Sequence, residues 1–411
     1  MKPGAGAEVV VVGAGPAGSA VAAELACRGR DVLLLDRASF PRAKACGECL
    51  NPGAAAALER LGLLAPVLET QVRSLIGWTL ATSGGRRVFA RFPAGVRALG
   101  VDRRSLDATL LRCAIERGVR FMGGYRVVEV DPGGPRNRAR VRGISTDGTP
   151  FTVTGSILVG ADGLRSAVAR GTGAVESPAG PRKASLTWRV AGRGPEPDRG
   201  RLYLGDGLTV GLAPVPNPRL PPDGPDLWNA TVVVASARDR AVLRKDGEVF
   251  LDRGMDALGP GWIGGFELVD GPWASGPFSW PAKGAVVGRT VLVGDAAGYY
   301  DPLTGQGMFR ALRGAELAAH AIDEALTPSQ WDGDGVGAGS NPRARSFDRR
   351  ALLRYDREHS RAFRPGRLMQ RVIEGVVSRS RIREPVFALL ERSPRAATAL
   401  VRLIGDATVA Q

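Results

Sequence analysis

The sequence predicts an α/β chain in three parts: a parallel sheet wound with helices, an inserted and mainly antiparallel β-sheet domain, and a C-terminal helical tail. Three observations carry this reading. In the stretch Val9 to Asp36, a buried strand, a glycine turn, a helix and a second buried strand follow in register. Between about Ser177 and Pro281 the composition changes, with dense proline and glycine and short alternating strands such as LTWRVAG, RLYLG and NATVVVAS. At Thr290 to Val293 the chain returns to a short apolar run, and a long helical stretch follows from Gly307.

The first stretch is the most informative. Val9 to Val12 is apolar and β-branched, as suits a parallel strand covered on both faces. Gly13, Gly15 and Gly18 then form G-x-G-x-x-G. The first allows the tight turn, the second lets backbone approach a pyrophosphate, and the third lets the helix pack closely on the strand. The free N–H groups opening the helix make an anion site. Asp36, at the end of the second strand, stands where a ribose-binding carboxylate belongs. Together these define a Rossmann-like dinucleotide-binding domain.

Farther on, Phe40-Pro41 and Asn51-Pro52-Gly53 are turn signals, with Pro52 placed to open a helix over 53–61. Arg42 and Lys44 put positive charge beside the diphosphate site, and Cys46 and Cys49 form a C-x-x-C. A strand over 97–101 precedes a helix whose face carries Leu106, Leu110, Leu111 and Ile115. Strands are expected over 119–130 and 138–144, and another, SILVGADGLR, runs into Asp162-Gly163. The expected division assigns 1–72, 97–175 and 281–327 to the dinucleotide domain, and 73–96 and 176–280 to the substrate domain. A glycine-rich linker over 328–344 leads to a helical tail over 345–411. In that tail Leu368, Val372 and Val376 fall on one face, with Ile373 beside them. The expectation is that this stripe covers the substrate domain; the alternative is that it lies on an anionic membrane.

The formal net charge of +15 is carried almost wholly by arginine, because Lys2, Lys44, Lys183, Lys245 and Lys283 are the only lysines. The arginines are spread along the chain without a nucleic-acid motif. No nucleic-acid partner is therefore expected, while a membrane surface or carrier protein is a candidate anionic partner. No secretory signal and no run of membrane-spanning length stands out. Cys27, Cys46, Cys49 and Cys113 do not suggest an extracellular disulfide framework in 411 residues. A cytoplasmic chain, soluble or membrane-peripheral, is expected. His320 and His359 are the only histidines, both on expected helices, and no metal site is expected.

Four segments in order, GAGPAG with Asp36, VDRRSLD, VGADG and GDAAGYYDPLTGQGM, carry a family pattern. The chain resembles the FAD-dependent monooxygenase and geranylgeranyl-reductase superfamily, with the para-hydroxybenzoate hydroxylase fold. FPRAKACGECLNP is most similar to the geranylgeranyl-reductase branch. The resemblance implies FAD as cofactor and NAD(P)H as its reductant. It implies that Gly13, Gly15, Pro16, Ala17 and Gly18 hold the diphosphate, Asp36 the adenosine ribose, and Arg103 the diphosphate or ribose. Gly294 and Asp295 would meet the ribitol chain. Pro302, Gly305, Gln306, Gly307 and Met308 would bring backbone N–H groups and a helix N-terminus to the flavin N1 edge, where the reduced ring is anionic. Arg37, Lys44, Cys46, Gly47, Val128 and Asp162 complete the implied cofactor set.

Two enzymatic outcomes follow from the resemblance. Hydroxylation of a hydrophobic or aromatic substrate requires O2 and a pocket sealed from water; reduction requires hydride delivery to an alkene. The substrate-domain strands make hydroxylation of a polyketide, quinone or isoprenoid-like molecule the main expectation, and the CGE stretch keeps reduction as the alternative. Halogenation is disfavoured, since no lysine occurs between Lys44 and Lys183 and Trp273 and Trp280 do not make W-x-W-x-I-P. A dithiol relay at Cys46 and Cys49 is a further alternative, against two small residues packed near the flavin. A related non-enzymatic fold that binds prenylated proteins is disfavoured by the intact Asp36 and GDAAG segments. No general acid or base is assigned.

Overall fold

An apolar run such as Val9 to Val12 must be covered on both sides and flanked by neighbours, and the strand Ala7–Val12 that carries it is placed accordingly. In a computed structural model, which describes residues 6–175, 183–194, 196–217, 224–258, 263–299, 301–327 and 347–405, this strand lies between Val32–Asp36 and Pro150–Gly160. Both pairings are parallel, with Val9 opposite Val32 and Ile157. Arg120–Gly123 extends the parallel sheet beyond Val32–Asp36, and Thr290–Leu292 extends it beyond Pro150–Gly160. The strand expected over 119–130 is two, Arg120–Gly123 and Tyr125–Asp131, because Gly124 takes φ +81° between them. Tyr125–Asp131, Ala139–Ser145 and the start of Pro150–Gly160 form an antiparallel meander. The Pro16–Cys27 helix packs against both the Arg103–Glu116 and the Gly307–Leu326 helices.

The second sheet is built from the proline- and glycine-dense region. Its order is Ile263–Ser275, Ala184–Arg193, Asp226–Val234, Leu208–Val215, Arg199–Leu204, Gly77–Thr82, Arg87–Arg91. All pairings are antiparallel except Arg199–Leu204 with Gly77–Thr82. Alternation puts Trp188, Val190, Val210, Trp228 and Val232 into one buried cluster, closed by Phe250, Leu251 and Met255 of the Glu248–Leu258 helix. The fold is thus an α/β architecture with a parallel sheet, a separate antiparallel sheet and C-terminal helices.

The tail forms the helices Arg349–Val377, Ser380–Arg392 and Pro394–Ile404. The first docks on the parallel-sheet domain through Tyr355, His359 and Phe363. Phe363 meets Phe309 edge-on at 6.0 Å, and Tyr355 Oη donates to the Leu292 carbonyl at 2.8 Å. The expected apolar stripe does not cover the substrate domain: Leu368 is 64% and Val372 55% exposed, and Val376 is half-buried. The aromatic side chains, with more area to bury, set the inward face instead. The later two helices return to the second sheet, where Phe387, Leu390 and Val401 join Val88, Ala90 and Phe92. Arg383, fully buried, pins the bend by donating to the Val377 carbonyl (2.8 Å), to Asp206 (3.0 Å) and to Ser83 Oγ. Among the described residues no helix is long and apolar enough to cross a membrane. The expected linker over 328–344 lies outside the described residues.

Candidate cofactor and substrate site

Two cavities meet beyond the end of the first strand and share Gly15, Lys44, Ala161 and Ser185 in their walls. The larger, about 1420 Å³, runs past Gly13, Asp36, Arg37, Val128 and Asp162. The smaller, about 320 Å³, runs between the two domains past Pro16, Ala17, Cys46, Gly47, Arg103, Gly294, Asp295, Pro302, Gly305, Gly307 and Met308. The expected cofactor residues are therefore gathered into one continuous path. Gly18 and Gln306 line neither cavity.

The three glycines of the turn do different work. Gly13 sits at φ +101°, and a Cβ there would stand 2.5 Å from the Ala161 carbonyl oxygen. A Cβ on Gly18 would stand 1.7 Å from the Gly13 carbonyl oxygen. Both are demanded by the protein's own packing. Gly15 is different: its backbone is extended, and a Cβ would meet only Arg42 Nη2, at 3.6 Å. The space there is open. Beside it, Arg42 Nε is buried without a hydrogen-bond partner, a cost that an anion would relieve. Asp36 accepts from the Ala14 N–H (2.7 Å) and the Ala38 N–H (2.8 Å), so its carboxylate faces the larger cavity already oriented.

Asp295 follows the Thr290–Leu292 strand directly, on a short 3-10 turn over Gly294–Ala297, and reaches the smaller cavity. The Gly307–Leu326 helix opens at the same cavity with Gly305 and Gly307, where a Cβ would meet nothing within 4 Å. A ready anion site with no side chain in front of it results. Open glycine backbone, an orphaned arginine nitrogen, an oriented ribose-side acid and a helix N-terminus together fit an FAD.

Several expected residues are tied to the protein as well. Arg103 is buried, and its Nε and Nη2 donate to the two Asp107 carboxylate oxygens at 2.8 and 2.9 Å. Asp162 caps the Ala167–Gly171 helix, accepting from the Ala167 N–H at 2.6 Å and from Ser166 Oγ, while burial pushes its pKa up. Val128 is 60% exposed at the rim of the larger cavity. Lys44 lines both cavities, and desolvation, then Arg103, pushes its pKa down. Cys46 and Cys49 are both free thiols, and burial followed by Cys46 pushes the Cys49 thiol up to about 12. That makes Cys49 a packed neutral group near neutral pH.

Sequence reasoning passed over a buried network beneath the CGE loop. Glu48, at φ +51°, accepts from the Arg103 N–H (2.9 Å), Arg189 Nη2 (2.6 Å) and Asn229 Nδ2 (3.1 Å). Arg189 also donates to Asp102, and Asn229 donates to the Cys46 carbonyl at 2.9 Å. The loop is thus fastened to two strands of the second sheet. Lys183 likewise joins Asp301 and Glu374, each at 2.7 Å, across three parts of the chain. Tyr299 also lines the cavity; burial, then Asp295 and Asp301, hold its phenol neutral. The wall opposite the glycines is apolar and includes Trp78, Leu80, Phe92, Leu202, Leu400 and Ile404.

This arrangement defines a flavin-binding oxidoreductase. Residues 6–188 match the family model described as FAD binding domain. The menaquinone reductase of Mycolicibacterium smegmatis is 34% identical over 344 residues, 77% of this chain and 76% of that one. A 6-methylpretetramide 4-monooxygenase of Streptomyces rimosus is 28% identical over 77% of this chain and 55% of that enzyme. A digeranylgeranylglycerophospholipid reductase of Methanothrix thermoacetophila is 24% identical over 80% and 81%. In fold, the flavin-dependent brominase Bmp2 superposes with a TM-score of 0.76 at 20% identity, covering 98% and 94%. The chain belongs to the FAD-binding-domain family and is an FAD-dependent oxidoreductase.

Proposed function

We propose that this enzyme reduces a carbon–carbon double bond in a lipophilic isoprenoid or isoprenoid-quinone substrate, with NAD(P)H as the electron source. The observation that carries the reading is the apolar cavity beside Cys46-Gly47-Glu48, walled by Trp78, Leu80, Phe92, Leu202, Leu400 and Ile404. Such a wall accepts a long hydrocarbon, and Ser185, Thr187, Thr209, Asn229 and Thr231 in the same lining offer a smaller polar side to a quinone head. Likeness to a menaquinone reductase at 34% identity supports reduction over the hydroxylation favoured from the substrate-domain strands. Bound FAD would supply the hydride. The protein's own residues would hold the diphosphate at Gly15 and Arg42, the ribose at Asp36, and the anionic edge of the ring at the Gly307 helix N-terminus. Arg37, Arg126, Arg165, Arg240 and Arg244 around the larger cavity supply charge for an anionic nucleotide donor. The neutral Tyr299 phenol would present a hydrogen-bond donor to the same cavity.

The test is anaerobic turnover of an isoprenoid quinone by the reduced holoenzyme. The expected product, after its ring is reoxidised to the quinone, is still heavier by two hydrogens in the prenyl chain, and it forms without oxygen. Oxygen-dependent formation of a product heavier by one oxygen atom, with no anaerobic turnover, would return the enzyme to the hydroxylases, as the monooxygenase relative at 28% identity illustrates.

A further inference from the structure

The outward face of the Arg349–Val377 helix has a composition that folding alone does not require. Leu368 and Val372, one turn apart, are 64% and 55% exposed, while the helix buries Tyr355, His359 and Phe363 on its other side. At helical spacing Arg361, Arg364 and Arg371 flank this apolar pair, and all three are exposed. Five arginines lie between Ser360 and Arg379 (361, 364, 367, 371 and 379), and Glu374 is the only acid there. That acid is turned inward to Lys183 at 2.7 Å. Arg361 and Arg364 form no ion pair with a described carboxylate. Burial and then the neighbouring Arg371 and Arg364 push the Arg367 pKa down, a sign of crowded like charge.

The tail that carries this face also builds the cavity wall. After the bend pinned by Arg383, the Pro394–Ile404 helix contributes Leu400, Val401 and Ile404 to the smaller cavity. Between them, on the Ser380–Arg392 helix, Leu389 is also 64% exposed.

We propose that this face docks the enzyme on an anionic lipid bilayer, from which a lipophilic substrate passes to the cavity. The inference rests on the proposed lipophilic substrate class. An apolar pair ringed by arginines is the pattern of a helix lying in a headgroup layer. Pairing with a second copy is opposed by the same arginines and by the net charge of +15. Each arginine near such a surface favours binding roughly fivefold, from ~1 kcal/mol at ~1.4 kcal/mol per decade, and salt weakens it.

The holoenzyme should sediment with vesicles of phosphatidylglycerol and phosphatidylcholine at low salt and be released at high salt. It should ignore phosphatidylcholine alone. The Leu368→Glu/Val372→Glu variant should lose vesicle binding, and Arg364→Gln/Arg371→Gln should weaken it roughly 25-fold. Both variants lie outside the cavity and should keep FAD and wild-type turnover of detergent-dispersed quinone. Wild-type protein that ignores anionic vesicles at low salt, or a double-glutamate variant that binds them normally, would overturn the proposal. Vesicle binding without turnover of any dispersed quinone would instead count against the substrate reading and leave the docking face standing.

Discussion

Gly15→Ala separates the protein's own requirements from those of its cofactor. The residue has φ −74° and ψ −175°, a conformation alanine adopts freely, and the new Cβ would meet only Arg42 Nη2 at 3.6 Å. The protein without flavin should therefore be no less stable. Alanine restricts the unfolded chain, worth about 0.4–1 kcal/mol, or about one degree in melting temperature for a chain of this size. The methyl group would occupy the place of closest backbone approach to the diphosphate. Losing one charge-assisted hydrogen bond there costs roughly 1.5–3 kcal/mol, a roughly ten- to hundredfold weaker FAD affinity. Gly18→Ala is the contrast: its Cβ would stand 1.7 Å from the Gly13 carbonyl oxygen, so the turn itself must open and soluble yield should collapse. Titration of the apoprotein with FAD by fluorescence quenching, beside thermal melting, reads both effects. Wild-type FAD affinity in Gly15→Ala, with an unchanged melting curve, would refute the assignment of the diphosphate to this turn.

Asp295→Ala should yield largely flavin-free protein with the fold retained by circular dichroism; full flavin content would remove Asp295 from the site. Cys46→Ser/Cys49→Ser should keep FAD and part of the turnover, since the Cys49 thiol, held near 12, offers no thiolate near neutral pH; abolished turnover with normal flavin reduction would argue for a dithiol relay. Arg383→Met leaves the Val377 carbonyl and Ser83 without their donor inside the protein and should cost about 2–4 kcal/mol in urea unfolding. Burial, then Arg310 and Arg367, push His359 down to about 3, so the folded protein keeps it neutral while the unfolded chain takes a proton below about 6.5. The associated stability is complete above that value and falls with acid, by about 1.4 kcal/mol at about pH 5.5. His359→Phe should flatten that slope in urea titrations, and an unchanged slope would show that the group titrates normally.

The strand, glycine turn, helix and terminal acid of the first unit were legible because their causes are local. Gly13, Gly15, Gly18 and Asp36 lie within one strand–helix–strand unit, and backbone geometry dictates their spacing. The Gly294–Met308 segment was legible for the same reason. What stayed hidden depends on distant partners. Glu48, Arg189 and Asn229 converge from positions 141 and 181 residues apart, and no periodicity links them. The tail was read in period but not in direction. Leu368, Val372 and Val376 do share a face, yet the helix turns its aromatic residues inward and leaves Leu368 and Val372 outside. Periodicity identifies a stripe, and only the competing area on the other faces decides which way it points.

The seam between Gly53 and Gly405, where the Gly53 N–H donates to the Gly405 carbonyl at 3.1 Å, sets an order of assembly. During synthesis the glycine turn and its flanking strands emerge early, whereas Leu400, Val401 and Ile404 emerge near the end of the described chain. The apolar side of the cavity therefore lacks Leu400, Val401 and Ile404 until those residues are made and fold back. Until then the cluster of Val88, Ala90 and Phe92 lacks the Phe387, Leu390 and Val401 side chains that complete it, and apolar surface left open in a nascent chain favours aggregation. A fusion placed shortly after Gly405 would act on the same seam.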